Sequence, residues 1–151
     1  MKARAAVALE GHRVLVVEDE ALVAMELADI LERHGCTVIG PAGSVAHAHG
    51  LLHIEIDAAL LDLNLHGELS ISVAVALNDR GVPFAILSGY GQSQLDAPAL
   101  RLAPRLSKPV QHRDLLRALE QLLNPSGRLS RSSTQAAALA RLAAIRSVRR
   151  R

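Results

Sequence analysis

Acidic residues end two of the most apolar runs in this chain. Glu18 and Asp19 directly follow residues 14–17, and Asp62 directly follows residues 58–61. A run that is apolar at every position is typical of a strand covered on both faces, as in a parallel sheet, whereas a half-exposed strand alternates. The carboxyl ends of parallel strands meet at one edge of the sheet, where open α/β sheets bind ligands. The sequence therefore predicts a carboxylate cluster there, which implies a cation or an anion-transfer reaction assisted by one.

Strand and helix patterns alternate along the chain. Apolar runs predict strands at residues 14–17, 37–39, 58–61, 84–87 and 105–107, the second of which ends at Gly40-Pro41. Apolar residues spaced three and four apart predict helices between the strands, and the second helix begins at Ser44 as N-cap. Residues 89–104 carry two glycines and two prolines, so any helix there is short and irregular. Five such β/α pairs predict an α/β protein with a parallel sheet and right-handed crossovers.

Taken singly, the acidic residues also have purely structural explanations. Asp19 is suited to N-cap the first helix, with Glu20 near the positive end of the helix dipole, and Asp62 is suited to form an Asx turn. Glu18 fits neither role, because three successive acidic residues at a buried strand end repel one another unless a cation or a base is close. Since Asp62 holds the equivalent place on another strand, the sequence favours a shared site.

Two further polar residues directly follow predicted strands. Ser88 comes directly after the fourth predicted strand, and Lys108 comes directly after the fifth. A lone serine before a glycine is usually a turn residue, and a lone lysine is usually on the surface. Here, however, both follow predicted parallel strands, which places them at the same sheet edge as the acids. The Lys108-Pro109 bond is a candidate cis peptide, because the tertiary amide reduces the trans preference to under about 1 kcal/mol.

Together these residues resemble the receiver domain of two-component response regulators. The receiver signature is an acid pair, an aspartate, a serine or threonine, and a Lys-Pro pair at successive strand ends; the chain meets it with Glu18-Asp19, Asp62, Ser88 and Lys108-Pro109. The resemblance covers residues 12–123, about three quarters of the chain. It implies a flavodoxin-like (βα)5 fold, a doubly wound parallel sheet with strand order 2-1-3-4-5.

The resemblance also implies the chemistry of the site. Asp62 is then the phosphoacceptor and takes a phosphoryl group from a histidine kinase or a phosphotransfer protein. Lys108 pairs with the phosphoryl oxygens and Ser88 hydrogen-bonds to them. Such a protein is a phosphoacceptor with self-catalysed phosphorylation and dephosphorylation, and no conventional enzyme. Phosphoryl transfer needs positioning and charge neutralisation more than covalent help.

The cofactor implied by the resemblance is Mg²⁺. Asp19, Asp62 and the backbone carbonyl of Asn64 would hold the ion, and Glu18 would act mainly through water. This ligand set agrees with the preference of Mg²⁺ for octahedral oxygen ligation with retained waters.

Residues 84–91 resemble a group of single-domain receivers marked by the signature Phe-Ala-x-Thr-Gly-Tyr-Gly. This chain departs from it, carrying Ile86-Leu87-Ser88 where a shorter strand end with threonine is typical. The serine keeps the hydroxyl and loses a methyl group. Typical receivers also carry an aromatic switch residue three positions before the lysine, where this chain has Arg105. We therefore expect Ser88 and Tyr90 to be the switch residues.

The charged residues divide the chain into two parts. Residues 1–127, the predicted receiver domain, hold all 15 acidic residues and 10 of the 17 Lys and Arg residues, whereas residues 128–151 hold seven arginines and no acid. This Ala- and Arg-rich tail is either helical or disordered. It would contact the acidic surface of its own domain, a kinase or nucleic acid. DNA binding is not expected, because no helix-turn-helix precedes the tail.

The sequence thus predicts a receiver whose output is binding to a downstream target protein or phosphoryl relay, because a tail of about 24 residues cannot house a catalytic effector. One alternative is a phosphatase with an aspartyl-phosphate intermediate, as in the haloacid dehalogenase family. In that family the nucleophile belongs to the first strand and an aspartate follows two residues later, whereas Asp62 is followed by Asn64. A second alternative is a degenerate receiver that only binds partners. The presence of Asp62 and Lys108 argues against it.

Composition bounds the setting of the protein. Cys36 is the only cysteine, so it cannot form an intramolecular disulfide, and we expect a core position for it and a cytoplasmic location. No apolar stretch is long enough to span a membrane. His49 and His53 are expected to be exposed helix residues, and His66 to be a solvated loop residue. The oligomeric state stays open, with a homodimer among the options.

Overall fold

The computed structural model describes residues 9–89 and 97–124. Tyr90, a predicted switch residue, and residues 128–151, the predicted tail, lie outside this part of the chain, so their roles stay predictions. The elements in chain order are β1 (Arg13–Val17), α1 (Ala21–Arg33), β2 (Thr37–Ala42), α2 (Val45–Leu51), β3 (Ala58–Asp62), β4 (Asn64–Leu65), β5 (Glu68–Leu69), α3 (Ile71–Asp79), β6 (Phe84–Ser88), a 3₁₀ turn (Pro98–Leu100), β7 (Arg105–Ser107) and α4 (His112–Leu123).

Five parallel strands form one sheet in the order β2-β1-β3-β6-β7. Because β6 and β7 are the fourth and fifth strands of this sheet, the predicted flavodoxin-like order 2-1-3-4-5 is confirmed. The short strands β4 and β5 form a separate antiparallel hairpin between β3 and α3. This hairpin was not predicted from the sequence.

The hydrophobic core lies on both faces of the sheet. On one face, strand residues such as Val16 and Leu60 pack with α1 and α4. On the other face, neighbouring strand residues such as Val17 and Leu61 pack with α2 and α3. The central strand β3 is buried at every position, which explains why its sequence is apolar without alternation.

Strand β2 extends beyond its predicted end at Gly40-Pro41 and reaches Ala42. Pro41 is tolerated because β2 is an edge strand, where a missing N–H removes no ladder bond to a further strand. Gly40 has φ +93°, and a Cβ there would lie 2.7 Å from the backbone nitrogen of Ala42, so only glycine fits this bend. The extension lets the carbonyl of Ala42 accept a hydrogen bond from the Glu18 N–H at 2.9 Å.

The first residues of α1 and α2 test two expectations about helix capping. Ser44 is the N-cap of α2, and its Oγ accepts a hydrogen bond from the His47 N–H at 3.0 Å, as expected. Asp19 does not cap α1, because that helix has Glu20 as its N-cap residue and no capping side chain. Within residues 9–89 and 97–124, no helix has the length and apolar character needed to cross a membrane.

Candidate functional site

The strand registers bring four of the predicted site residues to one edge of the sheet. β1 and β3 pair so that Glu18 and Asp62 come at adjacent strand ends. β6 and β7 pair through Ser88 and Ser107, so Lys108 follows at the same level. Glu18, Asp62 and Ser88 are exposed by only 2%, 2% and 7%. Polar residues that are this deeply buried at a ligand-binding edge indicate a site.

Lys108 holds two buried carboxylates together. Its Nζ lies 2.7 Å from Glu18 Oε2 and 2.7 Å from Asp62 Oδ2, and its side chain is 15% exposed. Its backbone N–H donates to the carbonyl of Ser88 at 3.0 Å. Burial alone would lower the pKa of Lys108, but the hydrogen bonds to Asp62 and Glu18 outweigh it and raise that pKa. The lysine is therefore a fixed positive charge between the two acids.

Burial of the Glu18 side chain disfavours its ionised form. Burial, reinforced by the Asp62 carboxylate, raises the pKa of Glu18 from 4.5 to about 7, against the lowering effects of Lys108 and of the Glu20 N–H. That N–H donates to Oε1 at 3.1 Å. Apart from the ion pair with Lys108, Oε2 has no hydrogen-bond partner in the described part of the chain. The charge of this buried oxygen is therefore compensated by the Lys108 ammonium alone among the described residues.

Asp19 is oriented by the loop that follows β3. Its Oδ2 accepts a hydrogen bond from the His66 N–H at 3.0 Å and lies 3.4 Å from the ring Nδ1 of the same residue. Burial alone would raise the pKa of Asp19, but the hydrogen bond from the His66 N–H and the smaller contributions of Glu18, the Asp19 backbone and the His66 ring together outweigh it, and the pKa lies below its usual value. The His66 ring is 75% exposed, as expected of a solvated loop residue, yet its backbone belongs to the site.

The hairpin of β4 and β5 shapes the loop between Asp62 and α3. The Asn64 N–H donates to Asp62 Oδ1 at 3.2 Å, and Asn64 Oδ1 accepts from the Gly67 N–H at 2.7 Å. His66 and Gly67, the two turn residues, both have positive φ, 52° and 86°, as in the tight turns that suit hairpins. In the sequence, Gly67 is the signal of this turn. The strands β4 and β5 could not be predicted, because two residues are too few to show an alternating pattern.

A buried serine that the sequence did not single out contacts the backbone of Asp62. Ser70 is 0% exposed, and its Oγ donates to the carbonyl oxygen of Asp62 at 2.5 Å. A serine just before a helix is the usual sign of an N-cap, so nothing in the sequence distinguishes this contact from an ordinary cap.

The donor set at this edge fits a hard divalent cation. Glu18, Asp19 and Glu20 each offer an oxygen within 4.8 Å of the others, the one such group of three among the described residues. All the donors are carboxylate oxygens, which Mg²⁺ and Ca²⁺ prefer. The Glu18 Oε2 without a hydrogen-bond partner and the lowered pKa of Asp19 both suit a nearby cation. Glu20 had not been predicted as a member of the group.

The other singled-out residues have structural roles. His49 Nε2 contacts Ser72 Oγ at 2.9 Å, and His53 Nδ1 contacts the carbonyl of Gly50 at 2.7 Å. Both histidines are exposed, but only His49 is a helix residue as expected, because α2 ends at Leu51. Neither joins a metal-binding group of three among the described residues. Cys36 is 6% exposed, as expected of a core residue, and burial raises the pKa of its thiol. The Lys108-Pro109 peptide is cis, as the sequence suggested.

Similarity to solved structures decides the family. The chain is 40% identical to SdrG from Sphingomonas melonis Fr1, with a TM-score of 0.67, over 74% of this chain and 96% of SdrG. It is 26% identical to the receiver (REC) domain of the Erythrobacter litoralis response regulator PhyR, with a TM-score of 0.66, over 77% of this chain and 92% of that domain. The chain belongs to the response-regulator receiver family. No family model matches it.

Among curated proteins, this receiver is similar to the transcriptional regulatory protein PdtaR of Mycobacterium tuberculosis. The two are 31% identical over 116 residues, which cover 72% of this chain and 55% of PdtaR. The receiver thus spans about half the length of the curated relatives it matches. Membership of the receiver family places the chain in two-component signalling, and the similarity to PdtaR does not assign its activity or its partners.

Proposed function

We propose that this receiver accepts a phosphoryl group on Asp62 from a histidine kinase or a phosphotransfer protein. The observation that carries the proposal is the position of the Asp62 carboxylate, which is 2% exposed, lies at the carboxyl edge of the central strand and contacts Lys108 Nζ at 2.7 Å. The carboxyl edge of an open α/β sheet is where ligands bind. A lysine beside it can neutralise charge that arrives with a phosphoryl group.

The transfer is a displacement at phosphorus. A carboxylate oxygen of Asp62 forms the new P–O bond while the P–N bond of the phosphohistidine breaks, and the electron pair of that bond stays on the imidazole nitrogen, which takes up a proton. Lys108 is then in reach of the phosphoryl oxygens, and the Ser88 hydroxyl is proposed to donate a hydrogen bond to one of them. Ser88 and Tyr90 are the proposed switch residues that report the phosphorylated state.

Asp19, Asp62 and the backbone carbonyl of Asn64 are proposed to hold Mg²⁺, with Glu18 acting mainly through water. The Asp62 and Asn64 positions are linked by the Asn64 N–H, which donates to Asp62 Oδ1, and the Asp19 carboxylate is oriented by His66. When bound, Mg²⁺ neutralises charge on the acids and on the phosphoryl oxygens. The same arrangement would support self-catalysed phosphorylation by small donors and hydrolysis of the acyl phosphate by water.

The phosphodonor protein is proposed to dock beside α1. Leu22 and Met25 in the first turns of this helix are 82% and 66% exposed, and the helix begins two residues after Asp19. Two exposed apolar side chains on the helix that follows Asp19 suit a partner that must bring a phosphohistidine to Asp62. Replacing Leu22 with Asn should slow transfer from the kinase and leave labelling by acetyl phosphate unchanged. Equal effects on both reactions would rule this docking surface out.

The output is proposed to be binding to a downstream target protein or relay of the phosphoryl group, with dimerisation on phosphorylation as one form of that output. A cytoplasmic location is proposed as well, because histidine kinases phosphorylate their partners where ATP is available. The free and buried Cys36 suits a reducing compartment.

The test of the phosphoacceptor is labelling with acetyl phosphate and Mg²⁺ followed by intact-mass measurement. Wild-type protein should gain one phosphoryl group, and Asp62→Asn should gain none. Asp29→Asn is a matched control, because Asp29 is a half-exposed acid in α1 that pairs with Arg33 away from the site; it should label at the wild-type rate. Labelling of Asp62→Asn at the wild-type rate would overturn the proposal. Continuous release of phosphate from many monoesters would instead favour the phosphatase alternative.

A further inference from the structure

Ser70 joins the backbone at Asp62 to the first turn of α3. Its Oγ donates to the Asp62 carbonyl at 2.5 Å, and its N–H donates to the Leu63 carbonyl at 2.9 Å. Its own carbonyl accepts from the N–H groups of Val73 and Ala74 at 3.0 and 3.2 Å. Ser70 is completely buried. One residue is therefore bonded both to the strand that carries the phosphoacceptor and to the helix behind it.

Helix capping does not explain the Ser70 hydroxyl. Ser70 is the N-cap residue of α3, yet its side chain makes no capping hydrogen bond. Ser44 provides the contrast within the same molecule, because its Oγ caps α2 by accepting from the His47 N–H at 3.0 Å. At Ser70 the hydroxyl instead acts as a donor and is directed toward the strand. Its role is therefore tied to Asp62 and not to the helix end.

The bond from Ser70 to Asp62 closes the loop that carries the β4–β5 hairpin. Inside this closed loop lie Asn64, whose N–H holds Asp62 Oδ1, and His66, whose N–H holds Asp19 Oδ2. If the loop shifted relative to β3, both acids would lose a hydrogen bond at once. The Ser70 hydroxyl fixes the loop where it returns to the strand.

We propose that Ser70 is a positioning residue for phosphoryl transfer, whose hydroxyl holds the Asp62 backbone and the following loop so that two N–H groups of this loop keep the carboxylates of Asp62 and Asp19 oriented. The inference rests on the proposed role of Asp62 as the phosphoacceptor. Ser70 touches neither the donor nor the reacting atoms, and it acts through the backbone. A misplacement of about 1 Å at a reacting group can cost on the order of 100-fold in rate.

The experiment compares Ser70→Ala with Ser44→Ala, a serine whose hydroxyl only caps a helix. Thermal unfolding, Mg²⁺ affinity and the rate of labelling by acetyl phosphate at saturating Mg²⁺ are measured for both. Ser70→Ala should slow labelling by about tenfold or more, and Ser44→Ala should lower the melting temperature without slowing labelling. Ser70→Thr, which keeps the hydroxyl, should recover most of the rate. If Ser70→Ala does not fold, Ser70→Cys keeps a weak donor of similar size and replaces it.

Amide hydrogen exchange in the unphosphorylated protein gives a readout that does not depend on the proposed function. The N–H groups of His66 and Asn64 should exchange faster in Ser70→Ala than in Ser44→Ala. Unchanged exchange, or labelling at the wild-type rate by Ser70→Ala, overturns the role of Ser70. A wild-type protein that takes no phosphoryl group overturns the proposed function instead, while the exchange rates still decide whether Ser70 holds the loop.

Discussion

Glu18 and Lys108 form an ion pair of 2.7 Å in which the glutamate side chain has no exposed surface. The same ammonium contacts Asp62 at the same distance. Two carboxylates that share one lysine leave the site with an excess of negative charge when all three groups are ionised. We expect this excess charge to affect the free energy of unfolding, the dependence of that free energy on pH, and the binding of cations.

Replacing Lys108 with Met should destabilise the protein strongly. The change leaves two buried carboxylates without their cation, and breaking a buried pair from one side costs on the order of 3 kcal/mol. Urea unfolding at pH 8 without metal measures the change in the free energy of unfolding. Arg33→Met is the matched control, because the Arg33–Asp29 pair is exposed by 68% and 56%, and exposed pairs contribute about 0–1 kcal/mol. Equal losses in the two variants would contradict the role given to Lys108.

The stability of the metal-free protein should fall as the pH rises from about 5 to 7. Burial raises the pKa of Glu18 from 4.5 to about 7, so between these values the folded state binds a proton that the unfolded state has released. One such proton changes the free energy of unfolding by up to about 1.4 kcal/mol per pH unit. Glu18→Gln should flatten the profile in this window. The exposed Glu26, changed to Gln, should leave the slope as it is in wild type.

Asp19→Asn should weaken Mg²⁺ binding more than Glu18→Gln does. Asp19 is proposed as a direct ligand, and its loss should cost on the order of 100-fold in affinity, whereas Glu18 acts through water and should cost about tenfold. The chain has no tryptophan, so the titration is best followed by NMR shifts of the backbone amides. The reverse order of the two effects would exchange the roles assigned to these acids.

Truncation after Asn124 should leave the chemistry of Asp62 intact and weaken partner binding. Helix α4, the last element in the described part of the chain, ends at Leu123, and the removed residues carry seven arginines and no acid. We expect labelling by acetyl phosphate within a few-fold of the full-length rate, and weaker capture of the kinase or target in a pull-down. Contacts made by charge alone should weaken with salt, since the Debye length is about 8 Å at physiological ionic strength. A truncated protein without helical circular dichroism would place the tail in the core.

The sheet and the polar residues at its edge could be predicted from the sequence, because they depend on patterns within single elements. Apolar runs located the strands, and the residues directly after them, Glu18, Asp62, Ser88 and Lys108, follow the carboxyl ends of parallel strands. A parallel sheet places all these strand ends at one edge, and the strand order that makes them neighbours was implied by the resemblance to receiver domains. No distance between elements was needed for this part of the prediction.

The contacts that orient the carboxylates of Asp19 and Asp62 could not be predicted from the sequence, because the spacing of the two residues in each contact follows no pattern. The His66 N–H meets Asp19 47 positions away, and the backbone N–H of any residue type could make that bond. Ser70 resembles a helix cap in sequence, and only its hydrogen bond to the Asp62 carbonyl distinguishes it from Ser44. The extension of β2 through Pro41 depended on its edge position, which the local pattern at Gly40-Pro41 does not reveal.

The sheet separates the core into two groups of side chains that do not share neighbours. Residues that pack with α1 and α4 form one cluster, and residues that pack with α2 and α3 form another. A cavity made in one cluster is therefore relieved first by side chains on the same face. Because β1 and β3 contribute residues to both clusters, a repacking on either face can displace the acids at their carboxyl ends.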